Sequence, residues 1–224
     1  MKAFLRTLMV GLIEPTVFGL ILFLTAGTLD FWQAWAFLVV FALSTWIPGM
    51  YLMRTNPDAL QRRMRAGPTA ETRTKQKGLI AGWYLSLISV LVVSALDHRF
   101  GWSQVPSAIS VVGDVLVATA LVLVMLVVIQ NSYAAATVRV ETGQKLASTG
   151  LYRLVRHPMY TANVILMIGI PLALGSYWGL LVVLPASVVL ALRIRDEETL
   201  LKEELAGYRE YTQEVRHRLV PFIW

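Results

Sequence analysis

From Pro158 to Leu192 the chain runs for 35 residues without a single aspartate, glutamate, lysine or arginine. A helix needs about 20 apolar residues to cross the hydrocarbon core of a bilayer. The run is too long for one crossing, and Gly175-Ser176 interrupts it near its middle. It therefore reads as two short helices in a tight hairpin, Pro158 to Leu174 and Tyr177 to Leu192. Four more stretches are apolar over a comparable length: Leu8 to Leu29 with one charge (Glu14), Phe31 to Met53, Gly78 to Leu96, and Ser107 to Gln130 with only Asp114. The expected fold is an all-α membrane protein of about six transmembrane helices with a C-terminal cytosolic helix and tail. A hydrophobic content of 56% and a mean hydropathy of +0.61 agree, since a soluble domain of 224 residues could not hide that much apolar surface.

Orientation follows from lysine and arginine, which accumulate on cytoplasmic loops. They fall at Lys2 and Arg6, between Arg54 and Lys77, between Arg139 and Arg156, and from Arg193 to Arg218. With six spans and both termini inside, 19 of the 20 are cytoplasmic and Arg99 alone is not. The net charge of +6 is this topological bias, with affinity for anionic lipid headgroups, rather than a nucleic-acid footprint. A chain without cysteine has no disulfide, thiolate nucleophile or cysteine-ligated metal. No histidine pair has metal-ligand spacing, so no metal is expected. The apolar run behind Lys2 and Arg6 is broken early by Glu14-Pro15 and reads as a retained helix, not a cleaved leader.

Two regions differ in character. Residues 1–132 hold four spans and a basic loop (54–77), in which Asn56-Pro57-Asp58 suggests a turn and Gln61 to Arg65 a short surface helix. In residues 133–224 polar residues become specific in type and spacing: a loop from Thr137 to Arg156, the hairpin 158–192, then Asp196 to Val215 as one cytosolic helix and Arg216 to Trp224 as an extended tail. Glu14 and Asp114, costly in hydrocarbon, are expected to face the bundle interior.

Two constellations can carry chemistry. Around Arg156-His157-Pro158-Met159-Tyr160 a helix starts at the interface, with His157 placed to cap it and with arginines and tyrosines converging on its N-terminus. An interfacial helix start with arginine anchors explains the same residues about as well. In the second, Arg193 and Glu197 share one helix face as the last span ends. An ordinary ion pair four residues apart contributes only about 0.2 to 0.5 kcal/mol. The alternative is that the carboxylate grips a ligand's amine or hydroxyls and the arginine an anionic group.

Taken in order, Gln144-Lys145-Leu146, Gly150-Leu-Tyr152, Arg156-His157-Pro158-Met159-Tyr160, Arg193 with Glu197-Glu198, Gly207-Tyr208 with Tyr211, and Arg218-Leu-Val-Pro221-Phe222 resemble the isoprenylcysteine carboxyl methyltransferase family. The likeness spans roughly Thr137 to Trp224. It implies an integral-membrane methyltransferase that uses S-adenosyl-L-methionine without a Rossmann domain, in keeping with the lack of a G-x-G-x-x-G turn. It further implies that Gln144, Lys145, Leu146, Ala147, Tyr152, His157, Pro158, Met159, Tyr160 and Glu197 line the cofactor pocket and that Arg193 faces the acceptor. Thr137-Val-Arg139 departs from members that carry an amide or imidazole there. Acceptors of such enzymes include prenylcysteine carboxylates, lipid amines and small thiols, so the expected partners are a lipophilic or lipidated substrate and membrane lipids. The active site would face the cytoplasm, in the plasma or inner membrane of a bacterium or the endoplasmic reticulum of a eukaryote. Competing readings are a sterol-reductase-like enzyme using NADPH and a small transporter or scaffold.

Overall fold

The computed structural model describes residues 2–65, 71, 73–134, 137–141, 143–221 and 223–224, with backbone only for residues 2–10 and 65. Part of the basic loop (66–70 and 72) and Phe222 of the terminal motif lie outside the described residues. Every regular element among the described residues is helical: α1 Lys2–Ala26, α2 Trp32–Thr55, α3 Pro57–Arg65, α4 Thr74–Phe100, α5 Ser107–Gln130, α6 Pro158–Ala173, α7 Val183–Glu204 and α8 Tyr208–Glu214. Single turns of 3₁₀-helix cover Gly150–Arg153 and Trp178–Val182, the latter leading directly into α7. Four helices are long and apolar enough to cross a membrane, namely α2, α4, α5 and α7 with its 3₁₀ lead-in; α6 and the Gly11–Ala26 part of α1 are shorter apolar helices. This is an integral membrane protein whose apolar helices match the six expected segments.

Successive helices alternate in direction, so their ends gather on two faces. On one, short turns join α1 to α2, α4 to α5 and α6 to α7. Asp97 ties this face together, accepting hydrogen bonds from Ser103 (N and Oγ, 2.6 Å each) and Ser176 (Oγ, 2.6 Å). On the other lie α3, the 131–157 loop, the charged end of α7, and α8. The turn after α6 is closed by Gly175, whose φ of 70° places it in the left-handed region.

The closest helix pair is α5 against α6, and glycine makes it possible. A Cβ on Gly113 would stand 2.1 Å from the backbone nitrogen of Ala173, and one on Gly169 3.0 Å from that of Val117. Close backbone approach through small residues is how helices associate where lipid removes the hydrophobic drive. Phe18, Leu22, Phe37, Val90, Leu91, Val117, Met167 and Ile170 fill the adjoining core.

Several expectations are corrected. Asn56-Pro57-Asp58 is not a free turn: Pro57 opens α3, and Asn56 Oδ1 accepts the Ala59 amide at 3.1 Å, because proline suits the first helical position and asparagine the cap. The cytosolic helix is not continuous from Asp196 to Val215. The last span runs unbroken to Glu204; the chain then turns at Gly207 (φ 80°) and starts α8 in a new direction. The tail is not extended, since the amides of Arg218, Leu219 and Val220 all point to the Trp224 carbonyl. Asp114 is buried as expected, but Glu14 is exposed on the wall of a cavity beside α1.

Candidate active site

The charged end of α7 leaves the bundle beside the first turn of α6, and this juxtaposition builds the site. Proline at the first position of α6 starts the helix at Pro158 and leaves His157 before it. The His157 side chain makes no capping hydrogen bond. Its Nε2 lies 3.3 Å from Glu198 Oε1 instead, because a buried carboxylate is a stronger partner than a helix amide. Glu198 also accepts Arg156 Nε at 2.7 Å and Arg218 Nε at 3.0 Å. Arg156 then donates through Nη1 to the carbonyls of Val215 (2.9 Å) and Arg216 (3.1 Å). The backbone repeats the connection, with the Arg156 amide donating to His217 and the His157 amide to Arg218. One carboxylate thereby joins α6, α7 and the tail.

Glu197, next along α7, points elsewhere. Tyr160 donates its hydroxyl to Glu197 Oε2 at 2.6 Å and accepts from Arg193 Nε at 2.9 Å. Arg193 and Glu197 are thus linked through the Tyr160 hydroxyl. The phenol crosses from α6 to hold both, and Arg193 is 4% exposed.

Above these residues the described parts of the loop (131–134, 137–141 and 143–147) fold over a cavity of about 90 Å³ that opens to solvent. Every residue expected to contact cofactor borders it: Gln144, Lys145, Leu146, Ala147, Tyr152, His157, Pro158, Met159, Tyr160 and Glu197. Arg193 sits one hydrogen bond behind the wall, through Tyr160. The loop is pinned at several points. Gln144 Oε1 accepts the Glu141 amide, and buried Glu71 accepts the Val138 amide, each at 3.0 Å. Gly150 (φ 60°) packs so tightly on Gln130 that a Cβ would meet its Oε1 at 2.5 Å. Tyr152 accepts Asn131 Nδ2 at 3.1 Å, and burial pushes its phenol up to about 12, keeping it neutral.

Sequence reasoning did not assign Asn131, Tyr133, Leu201, Leu205, Tyr208 and Tyr211 to this cavity, nor Glu198 to its support. Tyr208 and Tyr211 had a signal, the Gly207-Tyr208 motif, but no role. Tyr208 is 3% exposed, and its hydroxyl has no hydrogen-bond partner among the described residues. Buried polar groups are nearly always paired, and a lone one on a cavity wall is a place for a ligand's polar atom. A carboxylate, a lone phenol, aromatic faces and loop amides around one cavity fit a cofactor that combines an aromatic base, hydroxyls and a charged amino-acid end.

The family model described as phospholipid methyltransferase matches residues 108–206, from the start of α5 to the residue before Gly207. The match agrees with the resemblance carried by the C-terminal motifs. It favours methyl transfer over the reductase and scaffold readings. No curated protein matches the chain.

Proposed function

We propose that this membrane methyltransferase draws its methyl group from S-adenosyl-L-methionine held between the 131–147 loop and the start of α6, and delivers it to a lipophilic acceptor. The observation that carries the reading is that ten residues scattered from Gln144 to Glu197 border one cavity, where the buried Tyr208 hydroxyl has no partner among the described residues. When bound, the cofactor supplies a methyl group on a positively charged sulfur.

The chain's residues divide the remaining work. The Tyr152, Tyr160 and Tyr208 rings suit the adenine and the sulfonium charge. Glu197, held in place by Tyr160, suits ribose hydroxyls or the ammonium group, and the amides of residues 144–147 suit the cofactor carboxylate. Aligning nucleophile, methyl and leaving sulfur in a dry site is the main catalytic demand of an in-line displacement. The buried contacts of Arg156 and Glu198 keep the walls fixed for that purpose. Arg193 acts on the acceptor through Tyr160, whose hydroxyl it holds at the cavity wall, and a carboxylate acceptor, already ionised at neutral pH, needs no general base. The cavity faces the cytoplasm, the side that holds the basic loops.

A methyl-transfer assay tests this: full-length protein in detergent, radiolabelled cofactor and a total membrane lipid extract, followed by mass spectrometry of labelled products. One labelled lipophilic product is expected, reduced at least tenfold by Glu197→Gln. Label incorporation no higher than without protein would overturn the proposal.

A further inference from the structure

α3 is a short helix with a fixed seat. Asn56 caps it, Pro57 opens it, and its apolar side enters the bundle: Ala59 is buried, and Leu60 packs in one cluster with Leu52, Met125 and Val128. Met159, which lines the cofactor pocket, belongs to the same cluster. The helix lies outside residues 108–206, the part of the chain that the family model matches.

From this seat Arg62 reaches both limbs of the loop over the pocket. On the outgoing limb (131–134) its guanidinium lies 4.7 Å from the centre of the Tyr133 ring, with Nη1 3.5 Å from the Ser132 carbonyl. On the returning limb (137–141) its Nε donates to Glu141 Oε2 at 3.3 Å, while Arg139 takes Oε1 at 2.7 Å. Each limb passes the hold on to the pocket. Tyr133 lines it, and the Tyr133 amide donates to Asn131, whose Nδ2 donates to the Tyr152 hydroxyl. The Glu141 amide donates to Gln144 Oε1, and the Glu141 carbonyl accepts the Gln144 amide at 2.9 Å, which fixes the start of the 144–147 wall.

An ion pair half open to water adds little to the stability of a fold held by buried helix contacts. It can still decide a local equilibrium, because a loop opens at far lower free energy than the whole protein unfolds. We propose that Arg62 is a positioning residue for the cofactor, clamping the two limbs so that Tyr133 and Gln144 keep their places on the pocket wall. The proposal rests on the cofactor reading of that pocket. Neither Arg62 nor Glu141 borders the pocket, so the effect passes through the residues between.

Two readouts on the full-length protein in detergent test the clamp and the cofactor reading separately. Hydrogen exchange of the ligand-free protein, followed by mass spectrometry, should quicken about fivefold over residues 131–147 in Arg62→Gln, with the unfolding temperature near wild type. S-adenosylhomocysteine affinity, read by calorimetry, should weaken about threefold, since it scales with the fraction of molecules in the binding-competent state. In the methyl-transfer assay the KM for S-adenosyl-L-methionine should rise by a similar factor with kcat nearly unchanged. Arg62→Lys, which keeps the charge but not the flat guanidinium, should recover part of the loss. Neutralising exposed Arg54 at the end of α2, in Arg54→Gln, should change neither readout. Loop exchange or cofactor affinity unchanged in Arg62→Gln, or an equal loss in Arg54→Gln, overturns the proposal. Loop exchange that depends on Arg62 in a protein that binds no S-adenosylhomocysteine overturns the functional reading instead, and with it the role given to Arg62.

Discussion

Glu197 and Glu198 are chemically identical neighbours with different work, and substitution separates them. Glu198 is buried among Arg156, His157 and Arg218. Removing it in Glu198→Ala strands those groups without their anion, and the expected loss is about 3–5 kcal/mol of stability, read by thermal unfolding in detergent. Glu197→Gln keeps the Tyr160 hydrogen bond and should leave unfolding nearly unchanged. Tyr208→Phe deletes a buried hydroxyl that has no partner among the described residues, so the ligand-free protein should unfold at an equal or higher temperature. The sequence could point to Glu197 because it stands four residues from Arg193 on one helix face. It could not point to the partners of Glu198, which lie 41 and 42 residues before it and 20 after it, since nothing local encodes such distant pairing. The aromatic half of the pocket was half-visible: the spacing marked Tyr208 and Tyr211 but not where α8 would turn them.

Among the elements, α5 and α6 depend on Gly113, where a side chain would run into the backbone of Leu172 and Ala173. Gly113→Leu should separate the pair at a cost of about 1–3 kcal/mol or more, seen as a lower unfolding temperature, and shift the Tyr160 side of the pocket carried by α6. Trp46→Phe should cost about 1–3 kcal/mol by leaving the Gly11 carbonyl, already without its helical donor, unpaired in an apolar setting. The helices themselves were legible in the sequence because lipid demands long charge-free runs, although α4 and α7 carry on as helix into charged residues beyond those runs. The break at Gly207 and the start of α3 at Pro57 were less so. Both are decided by backbone geometry at one residue, where a glycine or proline permits either a weakened helix or a new one.

At the scale of the whole molecule, the loops rich in lysine and arginine share a face with the Tyr160–Glu197 pocket, whereas Arg99 sits at the opposite face, donating to the Thr25 carbonyl at 3.3 Å. Positive-inside bias then predicts a cytoplasmic pocket. Because the chain has no cysteine, single cysteines report topology without background. Cysteine at Thr149 should react with an impermeant maleimide only after the cell is opened, and cysteine at Thr28 or Ser103 from outside; the reverse pattern would invert the orientation. The central claim is that the pocket holds the methyl donor, and calorimetry with S-adenosylhomocysteine and the folded, full-length protein in detergent tests it most directly. The account predicts saturable one-to-one binding that weakens at least tenfold in both Glu197→Gln and Tyr208→Phe at unchanged stability. No heat of binding to the folded wild type, or equal affinity in all three proteins, would contradict it.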